Sequence, residues 1–225
     1  MTCLVTDRRR LAGAGAGADA WRRCLIAQAR FACDARIDLV QVRERDLDGA
    51  ELAAAVRAIA AVARGSSTRV IVNDRLDVAL AAGADGVHLR SDSVAAVDAR
   101  RMAPPGFLIG RSVHAIDDVT SAQGVDYLVA GTVFPTSSKR DSAPLLGVEG
   151  LRAIVRASRV AVLAIGGVTE SRVEAVARAG AAGCAAIGLF MSDERAPGGG
   201  DCGAIPLEML VERLRRRFDS VKAAS

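Results

Sequence analysis

Residues 70–88, VIVNDRLDVALAAGADGVH, contain one full period of the pattern that runs through the chain. Val70 to Val72 is a run of branched aliphatics closed by Asn73, and it reads as a buried strand. Residues 76–82 then space apolar side chains as a short helix does. Gly83 follows, and glycine accepts the left-handed conformation that stops a helix. Gly86-Val87-His88 begins the next apolar run. Strand, helix, glycine turn and strand make a βαβ unit, whose two strands lie parallel in one sheet.

Working outward, the same unit recurs. Strands are expected at Cys3 to Thr6, Leu39 to Arg43, Val70 to Asn73, Gly86 to His88, Leu108 to Ser112, Tyr127 to Ala130, Val160 to Ile165 and Ala185 to Gly188. Helical periodicity fills 18–31, 49–64, 76–82, 94–101, 115–122, 148–157, 170–179 and 206–221. The turn in GADGV (83–87) has counterparts in GVDYL (124–128) and GAAGC (180–184). Eight alternating units in 225 residues predict an α/β protein built as a single (β/α)8 TIM barrel, one domain over residues 1–225. An open doubly wound sheet is the main rival. Residues 11–20 and 198–203 read as loops. The tract Gly13 to Ala18 formally satisfies GxGxxA, but its first glycine does not directly follow a strand, so it does not read as a dinucleotide site.

Apolar residues make up 51% of the chain and aromatics only 3%, so the core must be filled by small aliphatics. That mixture excludes disorder, collagen and disulfide scaffolds. No run approaches the roughly 18 uncharged residues of a membrane span. Asp7 and three arginines stand where a secretory signal would be apolar, so a cytoplasmic protein with no membrane partner is expected. A net charge of +4 with one Trp and one Tyr gives neither the footprint nor the stacking platform of a nucleic-acid binder. The Arg8–Arg10 and Arg213–Arg217 clusters read as solvated surface. Five cysteines without a CxxC, and only two histidines, argue for buried thiols and against zinc.

Polar residues gather where strands end, which is the active face of such a barrel. Gln41, Arg43 and Arg45 alternate along the second strand, reading either as a salt-bridge layer or as a cationic cradle for phosphates. Asn73-Asp74 ends the third, as a helix cap or as oxygen ligands for a hard cation. His88 ends the fourth, with Arg90 and Asp92 beyond it. Ser112 and His114 share a side of the fifth, and His114 is the candidate acid/base. Thr136, Ser138 and Lys139 lie in a small-polar loop suited to enclosing an anion. Gly166, Gly167 and Gly188 follow the seventh and eighth strands, where backbone N–H groups commonly hold phosphate.

The ordered set LVTD, VQVRER, VNDRLDVALAAGADGVHL, IGRSVH, DYLVAGTVFPTSSK and LAIGGVT covers nearly the whole chain. It resembles the superfamily of thiamine-phosphate synthases and TenI-type thiazole tautomerases, which are (β/α)8 barrels, commonly homo-oligomers, acting on small phosphorylated substrates. The resemblance implies a synthase that joins hydroxymethylpyrimidine diphosphate to thiazole phosphate with Mg2+, releasing diphosphate. It places Arg43 and Arg45 on the diphosphate, Gln41 and Asn73 on the pyrimidine, and Asp74 on the metal. Ser112 and Lys139 would face the leaving diphosphate, with Thr136 and Ser138 in the same loop, and Gly167 and Gly188 would mark the thiazole-phosphate cradle.

Three positions depart from the synthase pattern. His-Leu-Gly-Gln-x-Asp is usual, and His88 is followed by Leu89-Arg90-Ser91-Asp92-Ser93, so Ser93 stands where the second metal carboxylate would be. Asp92 is the expected substitute. Position 45 is Arg where Lys is usual, and Gly188 replaces a serine. The missing carboxylate resembles the tautomerase branch, which needs no cofactor and would use His114. Synthase leads among the expectations, tautomerase follows, and a barrel that binds thiazole phosphate without turnover is third.

Overall fold

A computed structural model describes residues 1–13, 15–136, 144–191 and 206–223. Eight strands, β1 (Thr2–Val5), β2 (Leu39–Val42), β3 (Arg69–Asn73), β4 (Gly86–Leu89), β5 (Leu108–Val113), β6 (Tyr127–Ala130), β7 (Ala161–Ile165) and β8 (Gly183–Ala186), are all parallel and close into a barrel in chain order. The helices are α1 (Arg8–Ala12), α2 (Ala18–Asp34), α3 (Gly49–Ala63), α4 (Leu76–Ala81), α5 (Ala96–Met102), α6 (Asp117–Ser121), α7 (Gly147–Ala157), α8 (Val173–Arg178) and α9 (Leu207–Ala223). Short 3-10 turns occupy Glu170–Arg172 and Gly188–Phe190. No described helix is long and apolar enough to cross a membrane. The open-sheet rival is therefore replaced by a closed barrel.

Each strand sends alternate side chains inward and outward. Cys3, Val5, Leu39, Ile71, Tyr127, Val129, Leu163 and Ala185 form the barrel's own core, separate from the larger core under the helices. The helices reach the barrel closely because their inner faces carry much alanine; α3 buries Leu52, Ala53, Ala55, Val56, Ile59 and Ala63. Its start is fixed by Asp48, whose carboxylate accepts from the Glu51 N–H at 2.8 Å.

The repeated turns have a physical reason. Gly83, Gly124 and Gly180 all adopt positive φ, at 68°, 83° and 87°. An aspartate just before an even-numbered strand accepts from a backbone N–H of the strand before it. Asp38 takes Thr2, Asp85 takes Val70 and Asp126 takes Ile109, each at 2.7 Å. Each carboxylate also meets a guanidinium, from Arg215, Arg69 and Arg100 respectively. These units close the barrel end where the strands begin, and the Thr2, Val70 and Ile109 amides are satisfied there. For Asp38, burial pushes the carboxyl up, but the Thr2 bonds outweigh it and the net shift is downward.

Two sequence expectations are corrected. Residues 11–20 are not all loop, because α1 ends at Ala12 and α2 begins at Ala18. The Gly/Ala tract thus joins two helices, which removes the strand a dinucleotide fingerprint requires. The eighth strand lies two residues earlier than expected, since Gly183-Cys184-Ala185-Ala186 pairs with both β1 and β7. Cys3 and Cys184 are buried, and burial raises both thiols, Cys184 to about 12. Cys24 and Cys33 are partly buried and free, and Cys202 lies outside the described residues.

Candidate active site

At the strand exits, β2 ends at Val42 but burial still alternates beyond it: Arg43 is half-buried, Glu44 buried and Arg45 exposed. Glu44 is spoken for. It accepts from the Thr6 hydroxyl at 2.6 Å and from the Arg8 N–H, tying β1's exit to β2's. Burial pushes its carboxyl up against those bonds. Arg43 and Arg45 have no acidic partner at ion-pair distance among the described residues, so they are not part of a salt-bridge layer. Burial lowers the Arg43 guanidinium and the charge of Arg45 lowers it further, with Asp7 and Glu44 opposing and Arg90 adding a smaller downward push. Beside them Gln41, 4% exposed, donates through Nε2 to Asn73 Oδ1 at 3.0 Å.

Asp74 follows with φ at +67°, a left-handed conformation that Asp tolerates better than most residues. Its N–H donates to the His88 carbonyl at 2.9 Å, joining the β3 and β4 exits. The helix-cap alternative does not hold, because α4 begins without a side-chain cap. The carboxylate instead accepts a short hydrogen bond from the Ser93 hydroxyl, and its other oxygen lies 3.6 Å from the Arg90 guanidinium. The opposite nitrogen of Arg90 binds Asp92 at 2.5 Å. A tethered guanidinium thus bridges the two aspartates, and Ser93, not Asp92, donates to Asp74.

His88 is 2% exposed, and its Nε2 is 2.9 Å from Ser112 Oγ. Burial pushes its pKa down to about 4, with Asp74 opposing weakly. The ring is therefore neutral at physiological pH, and its Nδ1 is buried without a partner. Between about pH 6.5 and 4 the unfolded chain takes up a proton on His88 that the folded chain refuses. Stability should fall as pH drops through that window, by on the order of 2 kcal/mol at pH 4.5. Urea unfolding of wild type and His88→Gln at pH 7 and 4.5 checks this; equal acid losses in both would exclude His88 as the cause.

The expected acid/base, His114, lies at the rim, with Nδ1 on the Gly131 carbonyl. The carbonyl can only accept, so Nδ1 donates there and Nε2 is left out of that bond. The structure brings Gln41, Arg43, Asn73, Asp74 and Ser112 to neighbouring strand exits, with Asp92 reached through Arg90. The His88–Ser112 pair went unassigned in the sequence. Its signal was the period of two, which turns His88, Gly110 and Ser112 inward on adjoining strands.

Across the mouth, the segment after β6 runs beside β7, with Val133 and Phe134 donating to the Ile165 and Gly166 carbonyls. Gly166 and Gly167 have φ of +95° and +62°, and a Cβ on either would stand 2.4 Å from Thr132 Cγ2 or the Pro135 carbonyl. Conformation and packing both demand glycine there. Thr136 is the last described residue of this loop; Ser138 and Lys139 lie outside the described residues. Gly188 opens the 3-10 turn after β8.

A closed (β/α)8 barrel with acceptor-free guanidiniums at one side of its mouth and paired glycines at the other belongs to the class of barrel enzymes that handle phosphorylated substrates. The sequence profile of one such family, described as thiamine monophosphate synthase, matches residues 6–190, and the chain belongs to that family. A thiamine-phosphate synthase of Methanoregula boonei is 46% identical over 161 residues, covering 71% of this chain and 74% of that protein. One of Anaeromyxobacter dehalogenans is 37% identical, covering 88% and 85%. Thiamine phosphate pyrophosphorylase from Pyrococcus furiosus superposes with a TM-score of 0.73 at 29% identity, over 98% of this chain and 96% of that one. The chain is an enzyme of thiamine biosynthesis.

Proposed function

We propose that this chain is a thiamine-phosphate synthase that joins hydroxymethylpyrimidine diphosphate to thiazole phosphate and releases diphosphate, with carbon dioxide leaving as well when the thiazole carries its carboxylate. The observation that carries this reading is Arg43, a half-buried guanidinium with no acidic side chain at ion-pair distance among the described residues, facing the positive charge of Arg45 and only partly offset by Asp7 and Glu44. Two such cations side by side repel one another, and an anion of high charge between them would relieve that repulsion. A diphosphate is such an anion, and planar guanidiniums match its oxygens two at a time.

In the reaction the pyrimidine's exocyclic carbon loses its bond to the diphosphate oxygen and gains one to the thiazole nitrogen. Negative charge grows on the departing oxygen, and fixed cations lower that barrier because they need not reorganise. Arg43 and Arg45 would bind and orient the diphosphate, while the Ser112 hydroxyl, held by His88, adds a donor. The Gln41–Asn73 bond leaves the Gln41 carbonyl and the Asn73 amino group to orient a planar heterocycle. Thr136, with Ser138 and Lys139, would close over the anion. Gly166, Gly167 and Gly188 would border the thiazole phosphate.

Mg2+ commonly takes one or two carboxylates and completes its shell with water and substrate phosphate. Asp74 with Ser93 Oγ fits a one-carboxylate site of that kind; Asp92 is engaged by Arg90. Among the described residues no three His, Cys, Asp or Glu side chains gather for a metal, so phosphate oxygens would have to supply the rest. When bound, Mg2+ would neutralise charge on the leaving diphosphate.

Purified protein supplied with both substrates and Mg2+ should form thiamine phosphate and diphosphate in equal amounts. A chain that forms neither is not a synthase. One observation favours a second reading, thiazole tautomerase: His114 at the rim is held through Nδ1 on the Gly131 carbonyl, which leaves Nε2 out of that bond and placed to move a proton. Aromatisation of the thiazole without Mg2+, lost in His114→Gln, would establish it; phosphate binding without either reaction would mark a non-catalytic barrel.

A further inference from the structure

Of the three arginines of α1, expected on solvated surface, Arg9 and Arg10 are exposed as expected and Arg8 is not. Arg8 has a side chain only 14% exposed and is paired with Glu44 and Asp46. Arg9 points outward, onto Asp46. Arg10 has no acidic partner among the described residues. Its two terminal nitrogens instead lie 3.6 and 3.8 Å from where a Cβ on Gly188 would stand. Gly188 has no left-handed φ, and those separations are ordinary contact distances, so neither conformation nor crowding requires glycine there. With no side chain at 188, the exposed Arg10 guanidinium lies against the β8 exit, without an ion-pair partner among the described residues.

The placement is built into the fold. Barrel closure puts β1 beside β8, so the segment leaving β1 neighbours the one leaving β8. The Asp7 carboxylate accepts from the Arg10 N–H at 3.1 Å and caps α1. The buried Glu44 holds the Arg8 N–H at 3.1 Å and the Thr6 hydroxyl at 2.6 Å. The backbone carrying Arg10 is therefore fixed by the same bonds that fix the mouth of the barrel. Only its side chain is free to meet a ligand.

We propose that Arg10 binds the phosphate of the thiazole substrate beside Gly188, supplying through a guanidinium what a hydroxyl side chain at position 188 would otherwise donate. This rests on the synthase reading. A guanidinium offers two parallel donors and a full charge to a phosphate dianion, so it discriminates strongly between a phosphate ester and the free alcohol.

The test is Arg10→Gln and Arg10→Lys, with KM for thiazole phosphate, KM for the pyrimidine diphosphate, and calorimetric binding of thiazole phosphate and its dephosphorylated alcohol. Arg10→Gln should raise KM and Kd for thiazole phosphate roughly ten- to a hundredfold, the loss expected for one charge-assisted contact. Binding of the alcohol and KM for the pyrimidine diphosphate should change less than about twofold, and Arg10→Lys should recover part of the loss. Equal KM values in wild type and Arg10→Gln, with wild type turning over, would overturn the proposal and leave the synthase reading standing. A loss shared equally by phosphate and alcohol would also overturn it, since it would mark a structural role. Wild type that neither turns over nor binds thiazole phosphate would sink both readings.

Discussion

Asp74→Asn is expected to lower the synthase kcat/KM by about 10²- to 10³-fold, the usual cost of removing one fixed electrostatic stabiliser. Asparagine is the informative substitution because it accepts the left-handed backbone at position 74 and can still accept from Ser93. Only the charge is lost. Asp92→Asn should stay within a few-fold of wild type, because the Asp92 carboxylate meets Arg90 and is not joined to Asp74 directly. A fall in Asp92→Asn as deep as in Asp74→Asn would show that Asp92 is the second metal carboxylate after all. Arg90→Gln tests the same arrangement from the other side. The guanidinium sits against both carboxylates and opposes any divalent cation there, so its removal should tighten Mn2+ binding to the free enzyme several-fold, read by electron spin resonance. Unchanged Mn2+ affinity would mean that Arg90 and the metal do not compete.

The residues explain which features could be read without coordinates. The barrel was legible because seven of its strands contain branched aliphatics or aromatics. The eighth, Gly183-Cys184-Ala185-Ala186, has neither, and its expected position slid toward Ile187. Small residues are needed there, since a Cβ on Gly183 would stand 1.7 Å from the Met1 carbonyl. Helix α1 was missed because five residues with three arginines show no apolar face; Asp7 was the overlooked signal, as an N-cap. The site was legible strand by strand, since polar residues at strand ends need a reason. Its pairings were not, because Asp74 with Ser93, Asp74 with Arg90 and His88 with Ser112 join neighbouring strands whose register the sequence does not carry. The αβ turns show the same limit. Their glycines were readable from helix-stopping alone, whereas the aspartates that hold the preceding strand became meaningful only once adjacent strands were known.

Gly110→Ala should destabilise the protein by about 3 to 5 kcal/mol, roughly 10 °C in Tm, at the severe end of overpacking. The sole tyrosine, Tyr127, fills the barrel interior at 2% exposure, and an added Cβ on Gly110 would stand 2.2 Å from its Cζ and 2.5 Å from its hydroxyl. Strand pairing fixes this meeting, because Gly110 and Tyr127 are partners in the β5–β6 register. The ring cannot turn away without leaving the space that Gly110 vacates. A smaller side chain could, so the double variant Gly110→Ala/Tyr127→Leu should be markedly more stable than the sum of its single changes. Simple additivity in urea unfolding would show that the clash is relieved elsewhere. The Tyr127 hydroxyl is buried with no hydrogen-bond partner among the described residues, so Tyr127→Phe should hold or gain up to about 1 kcal/mol. The ring also supports chemistry. Its centroid is 5.7 Å from that of His88, which in turn holds Ser112 at 2.9 Å. Relief of the clash by leucine should therefore restore the fold but leave kcat a few-fold low, whereas Tyr127→Phe, keeping the ring, should leave kcat unchanged.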